Sequence, residues 1–134
     1  MILMDPSVFE KTVPFQPDVR LRLRTGERPF FGPGVAELLA HIEATGSVAA
    51  ACGQMGLSYS KGRTMLRRMD AALGFVTVER AQGGAGGGGA QLTRRGKALL
   101  TAYTALERDV SEYTQRRFSA AFGAFAAGGA QEEE

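Results

Sequence analysis

Glycine and serine residues at the boundaries of two short segments are the feature that most restricts how this chain can fold. Gly46 and Ser47 precede the segment VAAACGQM, and Gly56 and Ser58 separate it from a second segment that runs to about Leu73. A serine hydroxyl accepts a hydrogen bond from a free amide at a helix start, and glycine adopts the left-handed conformation that often ends a helix. The pattern therefore predicts two short helices joined by a tight turn.

The second of these helices has a narrow apolar side and a wide basic and polar side. The residues of its inward stripe are Gly62, Leu66, Met69 and Leu73. The residues of the opposite side are Lys61, Thr64, Arg67 and Arg68, with Ser60 and Arg63 at the boundary. A helix of this kind suits a groove, and two short helices joined by a glycine-containing turn form a helix-turn-helix. An ordinary helical hairpin is the alternative.

A strand–glycine–strand pattern follows and favours the helix-turn-helix over the plain hairpin. Residues 75–80 (FVTVER) are rich in strand formers, and residues 90–93 can pair with them. Between the two lies the segment QGGAGGGGA, so a strand, a flexible tip and a return strand form a wing. The predicted fold is mainly α with a small β wing (α+β): a winged helix-turn-helix plus a long C-terminal helix.

The N-terminal third is predicted to add an arm, a strand and a helix. Residues 1–18 contain three prolines, which interrupt any helix, and are predicted to be an irregular arm. Residues 19–25 (VRLRLRT) alternate apolar with basic side chains, as a half-buried strand does. Residues 26–34 contain two further prolines and are predicted to be a loop. A helix with apolar residues at three- and four-residue spacing follows, to about Ala44.

A long C-terminal helix is predicted from Thr93, its capping residue, to residue 122. Its apolar residues follow a spacing of 4, 3, 4 and 3 and form a two-heptad seam: Leu99, Tyr103, Leu106, Val110 and Tyr113. Such a seam can pair two chains or pack on its own domain. The chain thus divides into an arm (1–18), a winged domain (19–92), the long helix (93–122) and a flexible Ala-, Gly- and Glu-rich tail (123–134).

Positive charge is concentrated around the basic helix and the wing. The whole chain has 16 Lys and Arg against 14 Asp and Glu, a net charge of only +2. Between Ser58 and Arg95, however, seven basic residues are offset by only Asp70 and Glu79, a local charge of +5. Phosphate binding needs such a patch, because each neutralised phosphate releases condensed counterions. A solvated surface is the alternative explanation.

Composition argues against several other classes of protein. The lone Cys52 excludes an intrachain disulfide, which suits a protein of the reducing cytoplasm. Its side chain is predicted to be small and buried in a helix. One cysteine and one histidine, His41, cannot supply a tetrahedral zinc site, and no metal or cofactor is predicted. No apolar run reaches the length of a membrane span, and the start MILMDPSVFEK does not resemble a secretory signal. We therefore expect a cytoplasmic protein.

The glycine run also raises the hypothesis of a nucleotide-binding enzyme. A phosphate-cradling loop ends in Gly-Lys-Ser or Gly-Lys-Thr at a helix start, whereas Gly89 is followed by Ala-Gln-Leu-Thr. No strand-then-helix unit of the dinucleotide type is evident, and a catalytic triad would depend on His41, which is predicted to lie on a helix. The chain is therefore predicted not to be an enzyme.

Two stretches, GSVAAACGQMGLSYSKGRTMLRRMDAALG (46–74) and VERAQGGAGGGGAQLTRRGKALL (78–100), closely resemble the DNA-binding domain of the ModE family of molybdenum-responsive regulators. A looser part of the pattern is shared with LysR-type regulators. Ser58-Tyr59 and the glycine run distinguish the ModE family from them. ModE-like regulators tend to have Ala then Trp where this chain has Gly62 and Arg63. The chain is too short for a molybdate-binding region, so a stand-alone DNA-binding domain is expected, without direct molybdate sensing.

The resemblance implies that the basic helix enters the major groove of double-stranded DNA. The residues expected at or near bases are Ser58, Ser60, Lys61 and Thr64, and those expected on phosphates are Arg63, Arg67 and Arg68. Tyr59 is expected to combine a core position with a hydroxyl directed at phosphate. Ser47 is a candidate phosphate clamp, because free amides point outward at a helix start.

The glycine-rich wing is expected to act through its backbone. Without side chains it cannot recognise bases, but its amides can approach phosphate or enter the minor groove. The glycines concerned are Gly83, Gly84, Gly86 and Gly87, and the charged or polar residues at the wing's base are Arg80, Gln82 and Arg94. An unstructured hairpin tip is the alternative.

The expected partners are double-stranded DNA and a second copy of the chain, paired through the apolar seam. A regulator without its own sensing region also leaves room for a separate effector-sensing protein partner. The alternative function is a protein-interaction module that modulates another regulator through the long helix. Such a module would not need four basic residues on one helix.

Overall fold

The computed structural model describes residues 13–81 and 89–126. In chain order the elements are β1 (Leu23–Thr25), β2 (Arg28–Phe31), α1 (Pro33–Thr45), α2 (Val48–Met55), α3 (Tyr59–Leu73), β3 (Val78–Arg80), β4 (Ala90–Leu92), α4 (Arg94–Phe122) and a 3-10 turn (Gly123–Phe125). Residues 20–106 form one compact unit. The described residues before 20 and after 106 form a second.

The bounds of α2 and α3 agree with those predicted from the capping residues. The Ser47 hydroxyl accepts a hydrogen bond from the Ala50 amide, and the Ser58 hydroxyl accepts one from the Lys61 amide, both at 3.0 Å. Gly46, which ends α1, adopts the left-handed conformation with φ of 72°. These local bonds explain why the sequence locates the helix ends so well.

The core of the larger unit lies where α1, α2 and α3 meet. The buried residues that these helices contribute are Leu38, Leu39, Ile42, Val48, Ala51, Cys52, Leu66 and Met69. Cys52 is buried as predicted, and it faces Gly62 so closely that a Cβ at Gly62 would collide with its Sγ atom. Small residues on both helices therefore allow α2 and α3 to approach each other.

The predicted loop over residues 26–34 is wrong, because Arg28–Phe31 form strand β2 and helix α1 already begins at Pro33. This strand pairs antiparallel with β1, with Leu23 opposite Phe31 and Thr25 opposite Arg28. The turn between them contains Gly26, whose φ of 56° suits a two-residue hairpin turn. Pro29 suggested a loop, but an edge strand tolerates proline, and the buried Phe31 ties the hairpin to the core. Strand β1 covers only the last part of the predicted strand.

Strands β3 and β4 form the base of the predicted wing. They pair antiparallel with Val78 opposite Leu92 and Arg80 opposite Ala90. The Ala90 amide also donates to the Gly46 carbonyl at 2.8 Å, which ties the wing to the turn between α1 and α2. The glycine-rich residues 82–88 lie outside the described residues. With three helices and this hairpin, the larger unit is a winged helix-turn-helix.

The first part of α4 packs on the larger unit. The Thr93 hydroxyl caps the helix by accepting a hydrogen bond from the Gly96 amide at 3.0 Å. Tyr103 is buried; its hydroxyl donates to the Leu21 carbonyl at 2.9 Å, and its ring lies 4.9 Å from the Phe31 ring. This part of the long helix therefore belongs to the domain's own core.

The second unit combines residues 13–19 with the later part of α4. The Phe15 ring lies about 6 Å from three rings: Phe118, Phe122 and Phe125. The first residues of the predicted flexible tail (123–134) are ordered, since Gly123–Phe125 form a 3-10 turn and Ala126 is buried. Residues 127–134, like residues 1–12, lie outside the described part of the chain.

The described residues contain neither a membrane-spanning helix nor a cluster of metal-binding side chains. None of their helices is long and apolar enough to cross a membrane. Within residues 13–81 and 89–126, no group of three or more His, Cys, Asp or Glu side chains could hold a metal ion. His41 lies on α1 with its Nε2 atom 3.6 Å from a carboxylate oxygen of Glu37, an ordinary pair one turn apart.

Candidate nucleic-acid interface

Helix α3 has the two-sided character that its sequence predicts. Gly62, Leu66 and Met69 are buried against the other helices. The exposed residues on the remaining surface are Ser60, Lys61, Arg63, Arg67 and Arg68, with Thr64 half-buried among them. Among the described residues, none of these four cations forms an ion pair with a carboxylate. The outer side of α3 is therefore an uncompensated basic surface.

Tyr59, at the start of α3, is exposed and does not take the core position expected of it. Its side chain is 54% exposed, and it lies in the first turn of the helix, ahead of the buried stripe that begins at Gly62. The neighbouring Ser58 and, on α2, Ser47 both use their hydroxyl oxygens as helix caps. A capping hydroxyl still has its proton to donate, so both serines remain able to bind an acceptor such as a phosphate oxygen.

A groove of about 470 Å³ runs between the starts of α2 and α3 and the base of the wing. Ser47 and Tyr59 line it from the helices, and Arg63 and Arg80 place a guanidinium from α3 and from β3 along its walls. Glu79 also lines it, but its carboxylate already accepts a hydrogen bond from the Gln91 amide at 3.0 Å. The groove brings together four of the predicted site residues.

Asp70, which the sequence suggested only as an acid within a basic stretch, fixes the wing against α3. One of its carboxylate oxygens accepts hydrogen bonds from the Thr77 hydroxyl at 2.7 Å and the Thr77 amide at 3.2 Å. Thr77 is fully buried. The only sequence signal for this contact was a single acid on the otherwise basic helix, seven residues before a threonine. Asp70 thus positions the arginine on β3 relative to those on α3.

Of the other predicted wing residues, the structure describes only Arg94. Arg94 is exposed at the first position of α4 and does not line the groove. Five further predicted residues lie outside the described part of the chain: Gln82, Gly83, Gly84, Gly86 and Gly87. The described part of the site therefore consists of α3, the start of α2 and the strands at the base of the wing.

The apolar seam of α4 is divided between two environments. Leu99 packs against the core and Tyr103 is buried in it, so the structure removes Tyr103 from the surface predicted for dimerisation. The physical reason is its hydrogen bond to the Leu21 carbonyl and its contact with Phe31. Leu106 is 46% exposed and Tyr113 is 58% exposed, with Val110 half-buried between them.

Comparison with known proteins identifies relatives over about two thirds of the chain, although no protein-family model matches it. It is 36% identical over 91 residues to the DNA-binding transcriptional dual regulator ModE of Escherichia coli K12, and 37% identical over 91 residues to the transcriptional regulator ModE of Yersinia pestis. Each alignment covers 68% of this chain and 35% of the relative. The molybdenum-pterin-binding protein MopB of Rhodobacter capsulatus is 42% identical over 89 residues, or 66% of this chain and 32% of MopB. The chain thus spans about a third of the length of these relatives.

Solved structures share the fold at low sequence identity. The DNA-binding domain of CbnR in complex with DNA matches with a TM-score of 0.54 and 23% identity, over 66% of this chain and 95% of that one. Full-length CbnR with its target DNA matches with a TM-score of 0.53 and 23% identity, over 66% of this chain and 29% of that one. At this identity the likeness concerns the fold alone.

Proposed function

Because the chain is homologous to the N-terminal region of ModE and MopB, we propose that it is a transcription regulator that binds double-stranded DNA in a sequence-specific manner. The observation that carries the proposal is the exposed, uncompensated basic surface of α3. A solvated helix surface would not need four cations on one helix beside a groove with a further arginine on its wall.

The proposed mechanism inserts α3 into the major groove. That groove is about 12 Å wide and admits an α-helix, whose side chains then reach the base edges. Ser60, Lys61 and Thr64 lie on the outer side of α3 and are proposed to contact bases, together with Ser58 at its start. Arg67 and Arg68 are proposed to bind phosphates, although an arginine can also bind guanine with two hydrogen bonds.

The groove beside the wing is proposed to hold one phosphate strand. Arg63 and Arg80 supply charge from its walls, and the Ser47 and Tyr59 hydroxyls supply hydrogen-bond donors. The glycine-rich segment that follows Arg80 is proposed to bring backbone amides to the DNA backbone or the minor groove, with Gln82 and Arg94 nearby in sequence.

The protein is further proposed to act as a homodimer through the exposed part of the α4 seam. Leu106 and Tyr113 are large apolar side chains open to solvent, at the seven-residue spacing of a coiled-coil seam. The same observation favours the second candidate function, a module that pairs with a different regulator or with an effector-sensing protein through α4. DNA binding distinguishes the two, because only the first requires the basic side of α3.

The test is the binding of the purified protein to sheared genomic duplexes as a function of salt. We expect a steep salt dependence, and enrichment of a palindromic sequence from the duplex pool, because a dimer presents two copies of α3. The triple variant Lys61→Ala/Arg67→Ala/Arg68→Ala should lose the enrichment, and its log–log salt slope should be lower by about 2 per protomer, because Arg67 and Arg68 are the proposed phosphate contacts that it removes.

The matched control removes three exposed cations from α4: Lys97→Ala/Arg108→Ala/Arg116→Ala. It should bind with nearly the salt slope of the unmodified protein. Failure of the folded, unmodified protein to bind any duplex at low salt would contradict the proposal and favour the protein-interaction module.

A further inference from the structure

Helix α3 has a second basic element beside it, the β1–β2 hairpin, which the proposed function does not use. Arg24 and Arg28 are exposed on this hairpin, and Arg22 is exposed directly before it, whereas Leu21 and Leu23 are half-buried and pack against the core. Among the described residues, none of the three arginines forms an ion pair with a carboxylate. Arg24 donates to the Gly26 carbonyl at 3.0 Å and so is directed at its own turn. Within residues 13–81 and 89–126, Arg22 and Arg28 have no such bond.

Two grooves separate the hairpin from α3. The first, of about 550 Å³, is lined by Arg28 from the hairpin and by Arg68 and Ala71 from α3. The second, of about 290 Å³, is lined by Arg22, directly before the hairpin, and by Met65 from α3. Arg28 thus lies across a groove from Arg68, just as Arg80 lies across the wing groove from Arg63.

The two arginine pairs lie on opposite flanks of α3. An α-helix turns by about 100° per residue, so Tyr59 and Arg63 share one flank while Met65 and Arg68 lie on the other. The groove-lining residues agree with this geometry, because the first pair faces the wing and the second faces the hairpin. Ser60, Thr64 and Arg67 lie on the outer side between the two flanks.

We propose that the β1–β2 hairpin is a second wing, whose Arg22 and Arg28 act with Arg68 to bind a DNA phosphate strand. A helix in the major groove has one phosphate strand on each side, because the two backbones form the walls of that groove. The wing side, with Arg63 and Arg80, binds one strand, and the hairpin side binds the other. This inference rests on the proposed insertion of α3 into the major groove.

Charge and continuity favour DNA over an acidic protein as the hairpin's partner. The hairpin arginines continue the basic surface of α3 through Arg68 without an intervening carboxylate on either groove wall. A duplex bound along α3 would present phosphates to both flanks of the helix at once.

The test compares the salt dependence of binding to a random-sequence duplex for four variants and the unmodified protein. The hairpin variant is Arg22→Gln/Arg28→Gln, and its charge-conserving partner is Arg22→Lys/Arg28→Lys. The wing-side variant is Arg63→Gln/Arg80→Gln, and the control is Arg108→Gln/Arg116→Gln on α4. Thermal unfolding followed by circular dichroism verifies that each protein is folded.

The slope of log K against log salt should be lower by about 2 per protomer in the hairpin variant, since each lost phosphate contact lowers it by about 0.9. The wing-side variant should show a similar decrease in slope. The lysine variant and the control should keep the slope of the unmodified protein. A hairpin variant with the original slope, beside a wing-side variant with a lower one, would overturn the inference and leave the proposed function intact.

Two other outcomes are distinguishable from these. If the hairpin variant keeps its salt slope on DNA but loses binding to a polyglutamate peptide that the unmodified protein binds, the hairpin is an acidic-protein surface and the inference is wrong. If the unmodified protein binds no duplex at low salt, the proposed function fails, and the inference fails with it.

Discussion

At the scale of single residues, the contact between Cys52 and Gly62 shows why residue 62 has no side chain. Viewed in sequence alone, glycine within α3 only weakens the helix, by up to about 1 kcal/mol relative to alanine. In the structure the Cys52 sulfur occupies the space that an alanine Cβ would need. The two positions are therefore coupled, because Cys52 on α2 leaves no room for a Cβ at residue 62 on α3.

We predict that Gly62→Ala destabilises the domain despite its better helix propensity. Overpacking of a core contact costs about 1–3 kcal/mol, which exceeds the gain in propensity. The double variant Cys52→Ala/Gly62→Ala should be more stable than Gly62→Ala, because the sulfur is gone. Urea unfolding of the two single variants and the double variant measures this coupling.

Gly53→Ala is the matched control for Gly62→Ala. Gly53 is an exposed helical glycine on α2 with no atom near the position of an added Cβ, so alanine should stabilise by about 1 kcal/mol. Equal effects of alanine at the two positions would show that Cys52 does not restrict residue 62.

At the scale of elements, the base of the wing is joined to α3 by one carboxylate. Asp70 accepts hydrogen bonds from both polar groups of the buried Thr77. The Thr77 carbonyl in turn accepts a hydrogen bond from the Thr93 amide at 2.9 Å, and Gly96 packs against the same carbonyl. The junction of α3, the wing and α4 thus depends on a short chain of polar contacts.

We predict that Asp70→Ala lowers the free energy of unfolding by about 1–3 kcal/mol, because it leaves a buried hydroxyl and amide without a hydrogen-bond acceptor. Asp70→Asn keeps an acceptor oxygen and removes the charge, so it should retain much of the stability that Asp70→Ala loses. Urea unfolding at constant pH measures both. If Asn and Ala destabilise equally, the hydrogen bonds to Thr77 are not what the carboxylate contributes.

At the scale of the whole molecule, α4 contributes to both compact units. Its early residues complete the winged domain through Tyr103, and its later residues carry the aromatic contacts with Phe15. The exposed Leu106 and Tyr113 lie along the same helix. They are the residues of the predicted seam that the domain core leaves most accessible to a second chain.

We predict that Leu106→Glu/Tyr113→Glu converts a dimer to a monomer, because it places charges in an apolar seam. Analytical ultracentrifugation measures the change. DNA affinity should also fall, since two linked copies of α3 bind more tightly than one. Lys97→Glu/Arg108→Glu, on exposed positions outside the seam, is the control and should keep the assembly state of the unmodified protein. A monomeric unmodified protein would contradict the proposed pairing.

Features that depend on neighbours along the chain were determined by the sequence itself. The ends of α2 and α3 follow from Ser47, Ser58 and the glycines that stop each helix, because capping bonds span three or four residues. The buried stripe and basic side of α3 follow from the helical period. These local rules were sufficient to predict the winged helix-turn-helix and the surface proposed to meet DNA.

Features that depend on which distant segments pack together were decided only by the tertiary structure. The prolines around Arg28–Phe31 predicted a loop, yet burial of Phe31 against Tyr103, far along the chain, stabilises a strand there. Through the same contact, Tyr103 belongs to the core and not to the exposed seam that was predicted. Packing also brings together residues that no local pattern connects. It places Cys52 against Gly62, and it places Arg28 across a groove from Arg68.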